Sequence, residues 1–288
     1  MPDIINDYNK NGYKVLKKII PNTRIDALLE NICKLYCKYS KDSELENLEC
    51  PWKSKLFHKK LIEFREKEPL LFGAIYDSLK TSVTLTQLVS NDAIVDNVAK
   101  FLNVKPSEIS ISEPMCRLDV PNDKRNALEW HQERSFFPQN RDGSHSLVCW
   151  IPLTNVTEEM GAIHISPESH KGGLIIPERN EKKNGSYTRQ ISVPEEHIKK
   201  YEDLIVPADA GDAVFLNMLL FHRSGVNISD KIRFAVQARF HTATADDFIP
   251  FELVNYYNPD IKQRLIEKNY DCSDIPDNVR QPPVAEKS

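Results

Sequence analysis

The sequence lacks a hydrophobic run long enough for a membrane span, which requires roughly 18 apolar residues. Its first residues, MPDIINDYNK, also lack the basic region and the apolar core of a secretory signal. These two absences argue against an integral membrane protein and against an exported one. We therefore expect a cytoplasmic protein.

Charge of one sign is not concentrated anywhere in the chain. Lys and Arg are spread along the sequence, and the formal net charge at pH 7 is −4. Proteins that bind nucleic acid usually carry a basic patch, so neither nucleic acid nor an anionic membrane is indicated as a partner. The 288 residues are 40% hydrophobic and 28% charged, which is typical of a globular protein with one large domain or two small ones.

Closely paired cysteines are absent as well. None of the six cysteines forms a CxxC pair, and Cys33 and Cys37, on one face of a predicted helix, are by themselves a poor zinc site. A disulfide framework is typical of small secreted chains and is not indicated here. We expect the thiols to be reduced and mostly buried.

The first part of the chain is predicted to be largely helical. Tyr13 to Leu16 form a short apolar strand, and residues 21–40 carry apolar side chains at helical spacing after a Pro-Asn start signal. Residues 41–104 keep a helix-like pattern of Leu, Ile and Phe until the sequence KPSEIS ends it.

From residue 109 the pattern changes to short strands separated by turn sequences such as PND, NRDG and DAGD. The strand-like stretches are ISISEPMCRLDVP, HSLVCWIPLTNV, GAIHISP, DAVFLNMLLFH and IRFAVQARFHTA. Roughly six to eight short strands indicate a mainly β fold with flanking helices, a cupin-like jelly roll of the double-stranded β-helix type. Residues 178–200 are polar and interrupt the strands, so we expect a lid over a binding site there.

The stretch EWHQERSF places a histidine and an acid two residues apart. Side chains alternate along an extended segment, so His131 and Glu133 point the same way and are candidate metal ligands. A buried histidine beside a surface glutamate gives the same pattern, and the pair alone does not decide between these interpretations. His222, which ends the apolar stretch FLNMLLFH at a turn, is a candidate third ligand. Two histidines and one carboxylate leave three positions of an octahedral metal open.

Arg233 is a candidate cation for an acidic co-substrate. It lies in the strand-like stretch IRFAVQARF, and a hairpin through SGVNISD would bring it into the same pocket as His222. A guanidinium grips a carboxylate with two parallel hydrogen bonds. The alternative is a surface charge on a strand.

Three stretches together resemble the phytanoyl-CoA dioxygenase family, whose members are iron(II)- and 2-oxoglutarate-dependent oxygenases. They are EWHQERSFFPQN, SLVCWIPLTNVTEEMGAIHISPESHKGG and DAGDAVFLNMLLFHRSGVNISDKIRFAVQARF, in the order and at the spacing of the family pattern. The earlier stretch YNKNGYKVLKKIIP is similar to the family's usual opening. The resemblance covers most of residues 8–245 and is strongest over residues 128–240.

The resemblance implies a role for each matching residue. The implied iron(II) ligands, which are also the catalytic residues, are His131, Glu133 and His222. Arg233 would bind the distal carboxylate of 2-oxoglutarate, and Trp150 and Met115 match positions that line the co-substrate pocket.

One of these positions departs from the family pattern. Most members carry aspartate where this chain has Glu133. Glutamate is one methylene longer but offers the same oxygen donor, so we expect the iron site to survive with a slightly shifted geometry. Relatives that halogenate carry a small residue in place of the acid, and a glutamate therefore argues against halogenation.

Three further polar residues are candidate substrate contacts. Arg117 and Asp119 share the face of Met115 if their strand is regular, and Gln237 shares the face of Arg233. A salt bridge elsewhere is the alternative for the charged pair.

The histidines outside the proposed triad are interpreted as structural, packed or solvated. The stretch GAIHISPESHKGG has the pattern of a strand and a turn, which makes its two histidines poor ligand candidates. The histidines concerned are His58, His145, His164 and His170.

We expect one oxygenase domain over residues 1–272. Its predicted parts are a helical portion at 1–108, a jelly-roll core at 109–245 and an extension at 246–272, and a flexible tail follows at 273–288.

The resemblance implies hydroxylation of an unactivated C–H bond in a small organic metabolite, with 2-oxoglutarate and O2 consumed and succinate and CO2 released. The same site could instead carry out desaturation, cyclisation or epimerisation. A non-catalytic jelly roll that only binds a ligand is the third alternative. The sequence leaves the substrate and the oligomeric state open.

Overall fold

The computed structural model describes residues 3–123, 128–180 and 190–250. Its helices, in chain order, are α1 (Ile4–Asn11), α2 (Asn22–Ser40), α3 (Lys55–Lys67), α4 (Pro69–Lys80), α5 (Val83–Val89), α6 (Asp92–Leu102) and α7 (Glu195–Ile198). The strands are β1 (Tyr13–Leu16), β2 (Ile109–Asp119), β3 (Ser146–Pro152), β4 (Ile163–Ile165), β5 (Glu178–Asn180), β6 (Gln190–Ser192), β7 (Leu204–Val206), β8 (Ala213–Asn217), β9 (His222–Arg223) and β10 (Arg233–Thr242).

The helical first part forms as its sequence predicts. α2 begins at Asn22 and buries one apolar face along its whole length. Serine side chains cap two of the later helices: Ser54 accepts a hydrogen bond from the backbone of α3, and Ser82 does the same for α5. The strand expected at Tyr13 to Leu16 is also present, as β1.

The strands of the second part form antiparallel sheets. The largest sheet has the order β1-β8-β3-β10-β2, a second has the order β7-β4-β9, and β5 pairs with β6. All the pairs are antiparallel, and the described strands form separate sheets that do not close into a continuous barrel. The predicted fold class, a mainly β jelly-roll type with flanking helices, is confirmed.

Alternation along the central strands separates two apolar layers. In β3, Leu147 and Cys149 pack into the core that the large sheet shares with the helices, whereas Val148 and Trp150 pack towards the smaller sheet. β10 follows the same rule, because Phe234 and its even-numbered neighbours face the helical core. The odd-numbered residues of β10 therefore face the space between the two sheets.

Two details of the predicted strands are wrong. The stretch DAVFLNMLLFH is not one strand: β8 ends at Asn217, a turn follows, and His222 begins β9 in the other sheet. Nor is there a hairpin between His222 and Arg233, because β9 and β10 lie in different sheets. The connection is a crossover, which a hairpin rule based on short loops does not anticipate.

Several expectations fall partly or wholly outside the described residues. Of the segment 178–200, the predicted lid, residues 181–189 are not described; the described parts are β5, β6 and α7. The extension expected at 246–272 is described only as far as residue 250, and the tail at 273–288 lies outside the described residues. The domain boundaries stay predictions.

Two expectations about the whole chain can be checked on the described part. No helix within residues 3–123, 128–180 and 190–250 combines the length and the apolar composition needed to cross a membrane. The cysteines in these ranges are unpaired, and all but the partly exposed Cys50 are buried.

Candidate metal centre

The three predicted metal ligands come together where the two sheets meet. His131 and His222 exchange backbone hydrogen bonds of 3.0 Å and 3.1 Å, an isolated antiparallel bridge that places the two side chains next to each other. Glu133 begins a short 3₁₀ turn, Glu133–Ser135. The extended segment assumed for the pair His131 and Glu133 therefore ends one residue before the acid, but the turn still aims its carboxylate at the histidines.

The three side chains are buried and close together. Their donor atoms all lie within 4.8 Å of one another. Oε2 of Glu133 is 3.3 Å from Nε2 of His131 and 3.4 Å from Nε2 of His222. In the described residues, this is the one group of three His, Cys, Asp or Glu side chains with such spacing.

Backbone carbonyls orient both imidazole rings. Nδ1 of His131 is 2.7 Å from the carbonyl of Glu129, and Nδ1 of His222 is 2.9 Å from the carbonyl of Leu220. A carbonyl accepts hydrogen bonds but cannot donate them, so each Nδ1 carries the proton and each Nε2 keeps its lone pair. Burial, and next the neighbouring His222, lower the pKa of His131 below its usual value, which favours the neutral ring.

Arg239 holds the carboxylate of Glu133 from the side opposite the histidines. Its Nε and Nη2 atoms lie 2.7 Å and 2.6 Å from Oε1 of Glu133. Burial opposes ionisation of this carboxyl, but the charge of Arg239 and the contacts with the two histidines hold the pKa of Glu133 well below its usual value. Glu133 is therefore an anionic oxygen donor at neutral pH.

The donor set fits a divalent transition metal. Two neutral imidazole nitrogens and one carboxylate oxygen are suitable ligands for ferrous iron, and three protein ligands leave coordination positions for other molecules. The backbone carbonyls behind the imidazoles are the outer partners that metal-binding histidines usually have.

A cavity lies next to the two histidines. Among its walls are the polar residues Arg117, Arg223, Arg233, Ser224 and Gln237. Its apolar walls include Leu128, Val148, Trp150, Ile163 and Leu216. The mixed lining, apolar walls with a few polar groups, suits a small organic molecule.

Arg233 lines this cavity, as predicted, and is buried. Its Nε and Nη2 atoms donate to Oδ2 of Asp119 at 3.1 Å and 2.7 Å. Its Nη1 donates to the carbonyl of Gly161. Gly161 has φ of +79°, and a Cβ atom there would lie 2.9 Å from Nη1 of Arg233. Glycine is needed at this turn both for its conformation and for the close approach of the guanidinium.

Of the other candidate residues, some line the cavity and some do not. Trp150, Arg117 and Gln237 line it. Met115 is opposite Gln237 in the register of β2 and β10, and so on the expected face, but it is not among the residues that line this cavity. Asp119 lies behind Arg233 and also accepts hydrogen bonds from Arg117 at 2.9 Å and 3.2 Å. It therefore orients two arginines instead of lining the cavity.

The remaining histidines that were considered lie outside the triad, as expected. His58 is packed and accepts a hydrogen bond from the backbone N–H of Ile232. The polar partners of the other three lie elsewhere: Asp247 for His145, Asp203 for His164 and the carbonyl of Asn9 for His170.

Two residues that support the proposed ligands, Arg239 and Gln132, are not among the predicted site residues. Arg239 has the same parity as Arg233 and Gln237 on β10, so strand alternation alone could have placed it on the site face. Gln132, between two ligands, donates to the carbonyls of Gly173 and Leu219 and so ties the ligand segment to two loops. No local sequence signal identifies these loop partners.

Comparison with known proteins identifies the family. The family model described as phytanoyl-CoA dioxygenase (PhyH) matches residues 8–235. The human peroxisomal phytanoyl-CoA dioxygenase is 22% identical over 245 residues, which cover 82% of this chain and 67% of the human protein. A probable phytanoyl-CoA dioxygenase from Caenorhabditis elegans is 21% identical over 238 residues, covering 81% of this chain and 72% of that protein.

Solved structures show the same fold. The epimerase SnoN from nogalamycin biosynthesis, an α-ketoglutarate-dependent enzyme, has a TM-score of 0.56 at 18% identity and covers 84% of this chain and 82% of its own. EvdO2 from Micromonospora carbonacea var. aurantiaca, solved with 2-oxoglutarate, has a TM-score of 0.55 at 16% identity and covers 87% of this chain and 95% of its own. The chain belongs to the phytanoyl-CoA dioxygenase family and is an enzyme of the iron(II)- and 2-oxoglutarate-dependent oxygenase class.

Proposed function

We propose that this enzyme hydroxylates an unactivated C–H bond of a small organic metabolite. In this reaction 2-oxoglutarate and O2 are consumed, succinate and CO2 are released, and one oxygen atom of O2 enters the product. The observation that carries the proposal is the buried triad, in which two imidazole Nε2 atoms lie 3.3 Å and 3.4 Å from one carboxylate oxygen beside a cavity.

Each side chain of the triad has a defined part. His131 and His222 would hold iron(II) through Nε2, and Glu133 would hold it through Oε2. Iron(II) with bound 2-oxoglutarate supplies the activation of O2 and the oxidising power for removal of a hydrogen atom. The protein fixes the ligands, and the apolar cavity walls exclude bulk water from the reacting atoms.

Arg233 is the proposed anchor for the distal carboxylate of 2-oxoglutarate. The guanidinium is buried, it lines the same cavity as both histidines, and Asp119 fixes its orientation. A buried cation of fixed orientation favours a carboxylate over a neutral group. Trp150, which is buried and lines the cavity, is the proposed flat wall beside the co-substrate.

Other oxidative outcomes on the same site are the alternative. The structural neighbours SnoN and SnoK are described as an epimerase and a carbocyclase, and SnoK has a TM-score of 0.52 at 18% identity. Residues on the substrate side of the cavity would decide the outcome, and Arg117 and Gln237 are the proposed substrate contacts there. The cytoplasmic location stays a prediction.

Product analysis tests the proposal. The iron-loaded protein would be incubated with 2-oxoglutarate, O2 labelled with heavy oxygen and a metabolite extract, with His131→Ala as the inactive control. Hydroxylation predicts a product that gains one labelled oxygen atom together with stoichiometric succinate. A product that loses two hydrogens, or one of unchanged mass, would assign desaturation, cyclisation or epimerisation. Succinate formation that is the same in wild type and His131→Ala would refute the proposed site.

A further inference from the structure

We propose that Arg239 is a positioning residue that restricts Glu133 to metal binding through one carboxylate oxygen. The inference rests on the proposed function, since it concerns how the proposed ligand is presented to the metal. It adds a residue that is not among the predicted site residues. It also explains how glutamate can serve at a position where aspartate is usual.

The contacts of Glu133 divide its two oxygens between two tasks. Both Nε and Nη2 of Arg239 point at Oε1, at 2.7 Å and 2.6 Å. The other oxygen, Oε2, faces Nε2 of His131 and Nε2 of His222. One oxygen is thus bound by the guanidinium, and the other is directed to the place where the metal ligands converge.

Arg239 is itself held on several sides. Its guanidinium lies over the ring of Phe137, 4.1 Å from the centroid, and Nη2 donates to Oε1 of Gln237 at 3.0 Å. Its Nη1 donates to the carbonyl of Glu113 at 3.1 Å. Such a complete set of contacts leaves the guanidinium little freedom to move away from Glu133.

An irregularity in the sheet supplies one of these contacts. The register of β10 and β2 shifts between Gln237 and Arg239, and Glu113 on β2, close to this shift, has φ of +39°. A β-bulge turns a backbone group away from the regular ladder, and bulges are common beside active sites. Here the irregularity directs the carbonyl of Glu113 at Arg239, where it accepts a hydrogen bond from Nη1.

The restriction matters for the coordination of the metal. A carboxylate can bind a metal with one oxygen or with two. The second oxygen would occupy a position that 2-oxoglutarate or O2 requires, because a facial triad leaves three open positions only when each ligand gives one atom. Glutamate has one more rotatable bond than aspartate, so its second oxygen can reach the metal more easily. The contact with Arg239 keeps Oε1 of Glu133 away from the metal position.

The test uses the full-length protein with cobalt(II) as a spectroscopic probe for the metal. Two quantities are measured for wild type and Arg239→Met: the visible absorption of bound cobalt(II), which depends on its coordination, and the affinity of the cobalt(II) protein for 2-oxoglutarate. We expect cobalt(II) to stay bound in Arg239→Met with an altered absorption band. The affinity for 2-oxoglutarate should fall by about tenfold or more, the usual size of an effect from the outer partners of a metal site.

Arg65→Met is the matched control. Arg65 is largely buried and, like Arg239, has a carboxylate partner, Asp123, at 3.4 Å, and an aromatic ring, Phe72, at 5.6 Å. It does not contact the triad. Loss of a buried arginine in general would affect both variants alike, whereas the proposed role predicts that only Arg239→Met changes the spectrum and the affinity for 2-oxoglutarate.

Each other outcome overturns the inference. If Arg239→Met has wild-type absorption and wild-type affinity for 2-oxoglutarate, Arg239 does not position Glu133. If the variant loses cobalt(II) completely, Arg239 is needed for metal binding itself and the inference is wrong. If Arg239→Met does not fold, Arg239→Lys decides: an altered absorption band with a weaker affinity for 2-oxoglutarate supports the inference, and wild-type values refute it. A wild-type protein that binds no cobalt(II) would refute the proposed function together with the inference, so the two failures are distinguishable.

Discussion

Arg233 and Asp119 form a buried ion pair in which Nη2 and Nε of the arginine lie 2.7 Å and 3.1 Å from one carboxylate oxygen. The proposed anchor of the co-substrate therefore has an acidic partner within the fold. Burial alone would raise the pKa of Asp119, but the charges of Arg117 and Arg233 lower it, so the group is ionised at neutral pH. This carboxylate fixes the direction of the guanidinium before 2-oxoglutarate binds.

The first prediction concerns Arg233. Arg233→Ala should sharply raise the KM for 2-oxoglutarate, because the loss of a buried charge partner costs on the order of 2–5 kcal/mol. Metal affinity should stay near the wild-type value, since the hydrogen bonds of Arg233 go to Asp119, Gly161 and Gly225 and not to the three ligands. Arg233→Lys should have a KM between those of wild type and the alanine variant, because lysine keeps the positive charge but lacks the two parallel N–H donors of a guanidinium. An unchanged KM in the alanine variant would assign the anchor to another cation such as Arg117.

The second prediction concerns Asp119. Asp119→Asn should lower the free energy of unfolding by about 3 kcal/mol, because it removes the carboxylate shared by the buried Arg233 and the largely buried Arg117. The KM for 2-oxoglutarate should rise as Arg233 loses its fixed orientation. Denaturant unfolding and steady-state kinetics measure the two effects. Asp203→Asn is the control: its partner Arg223 is only partly buried, so the change should cost about 1 kcal/mol or less. Equal costs in the two variants would contradict the structural role of Asp119.

The third prediction concerns the two histidine ligands. His131→Ala and His222→Ala should each lose tight iron(II) binding and turnover, since two remaining ligands hold a labile ferrous ion poorly. Metal content after desalting and succinate formation are the measurements. The control is His145→Ala, at a partly exposed histidine paired with Asp247, which should keep wild-type metal content and wild-type succinate formation. Normal iron content in both ligand variants would show that the metal is held elsewhere.

Local periodicity accounts for most of what the sequence could predict. Helical spacing locates α2, and alternation puts Arg117, Asp119 and Gln237 on the face that looks into the site. His131 and Glu133 were candidate ligands because of their spacing and residue types, and the family resemblance implied the full triad with the distant His222. For α2, for the strand faces and for the pair His131 and Glu133, the informative residues lie within a few positions of one another.

Longer-range geometry is where the sequence falls short. The crossover from β9 to β10 depends on which sheet each strand joins, and a run of apolar residues such as 213–222 does not encode the turn after Asn217. The pairing of Glu133 with Arg239 links residues 106 positions apart and depends on a bulge in β2. Such partners become visible only when the register between strands is known.

The fourth prediction concerns pH and stability. Burial, more than the nearby charge of Lys231, lowers the pKa of His58 from 6.5 to about 4. The unfolded chain then binds a proton that the folded protein does not, so stability is full above the unfolded pKa and falls as the pH drops towards the folded one. Between about pH 7 and about pH 5 the loss from this residue should be about 2 kcal/mol.

Denaturant unfolding at the two pH values measures this loss. In His58→Gln the free energy of unfolding should decrease by about 2 kcal/mol less than in wild type between the two pH values. Some pH dependence will remain, because His241 is also buried and has a pKa of about 3. His145→Gln, at a partly exposed histidine, is the matched control and should behave like wild type. The same pH dependence in wild type and His58→Gln would show that His58 does not stay neutral in the folded protein.

The last prediction concerns Glu133 itself. Glu133→Asp should keep measurable activity, because the anionic donor remains, but the carboxylate is withdrawn by about 1.5 Å, one C–C bond. It can then no longer reach both Arg239 and the metal in the wild-type way, so a partial loss is expected. Glu133→Gln should be worse, since a neutral amide replaces the anion that a hard divalent metal favours and that Arg239 requires. Glu133→Ala should remove the ligand and nearly abolish hydroxylation. The expected order of succinate formation is therefore wild type, Asp, Gln, Ala, with Glu168→Gln, at a partly exposed glutamate paired with Lys171, as the unaffected control. An alanine variant as active as wild type would mean that Glu133 is not a ligand.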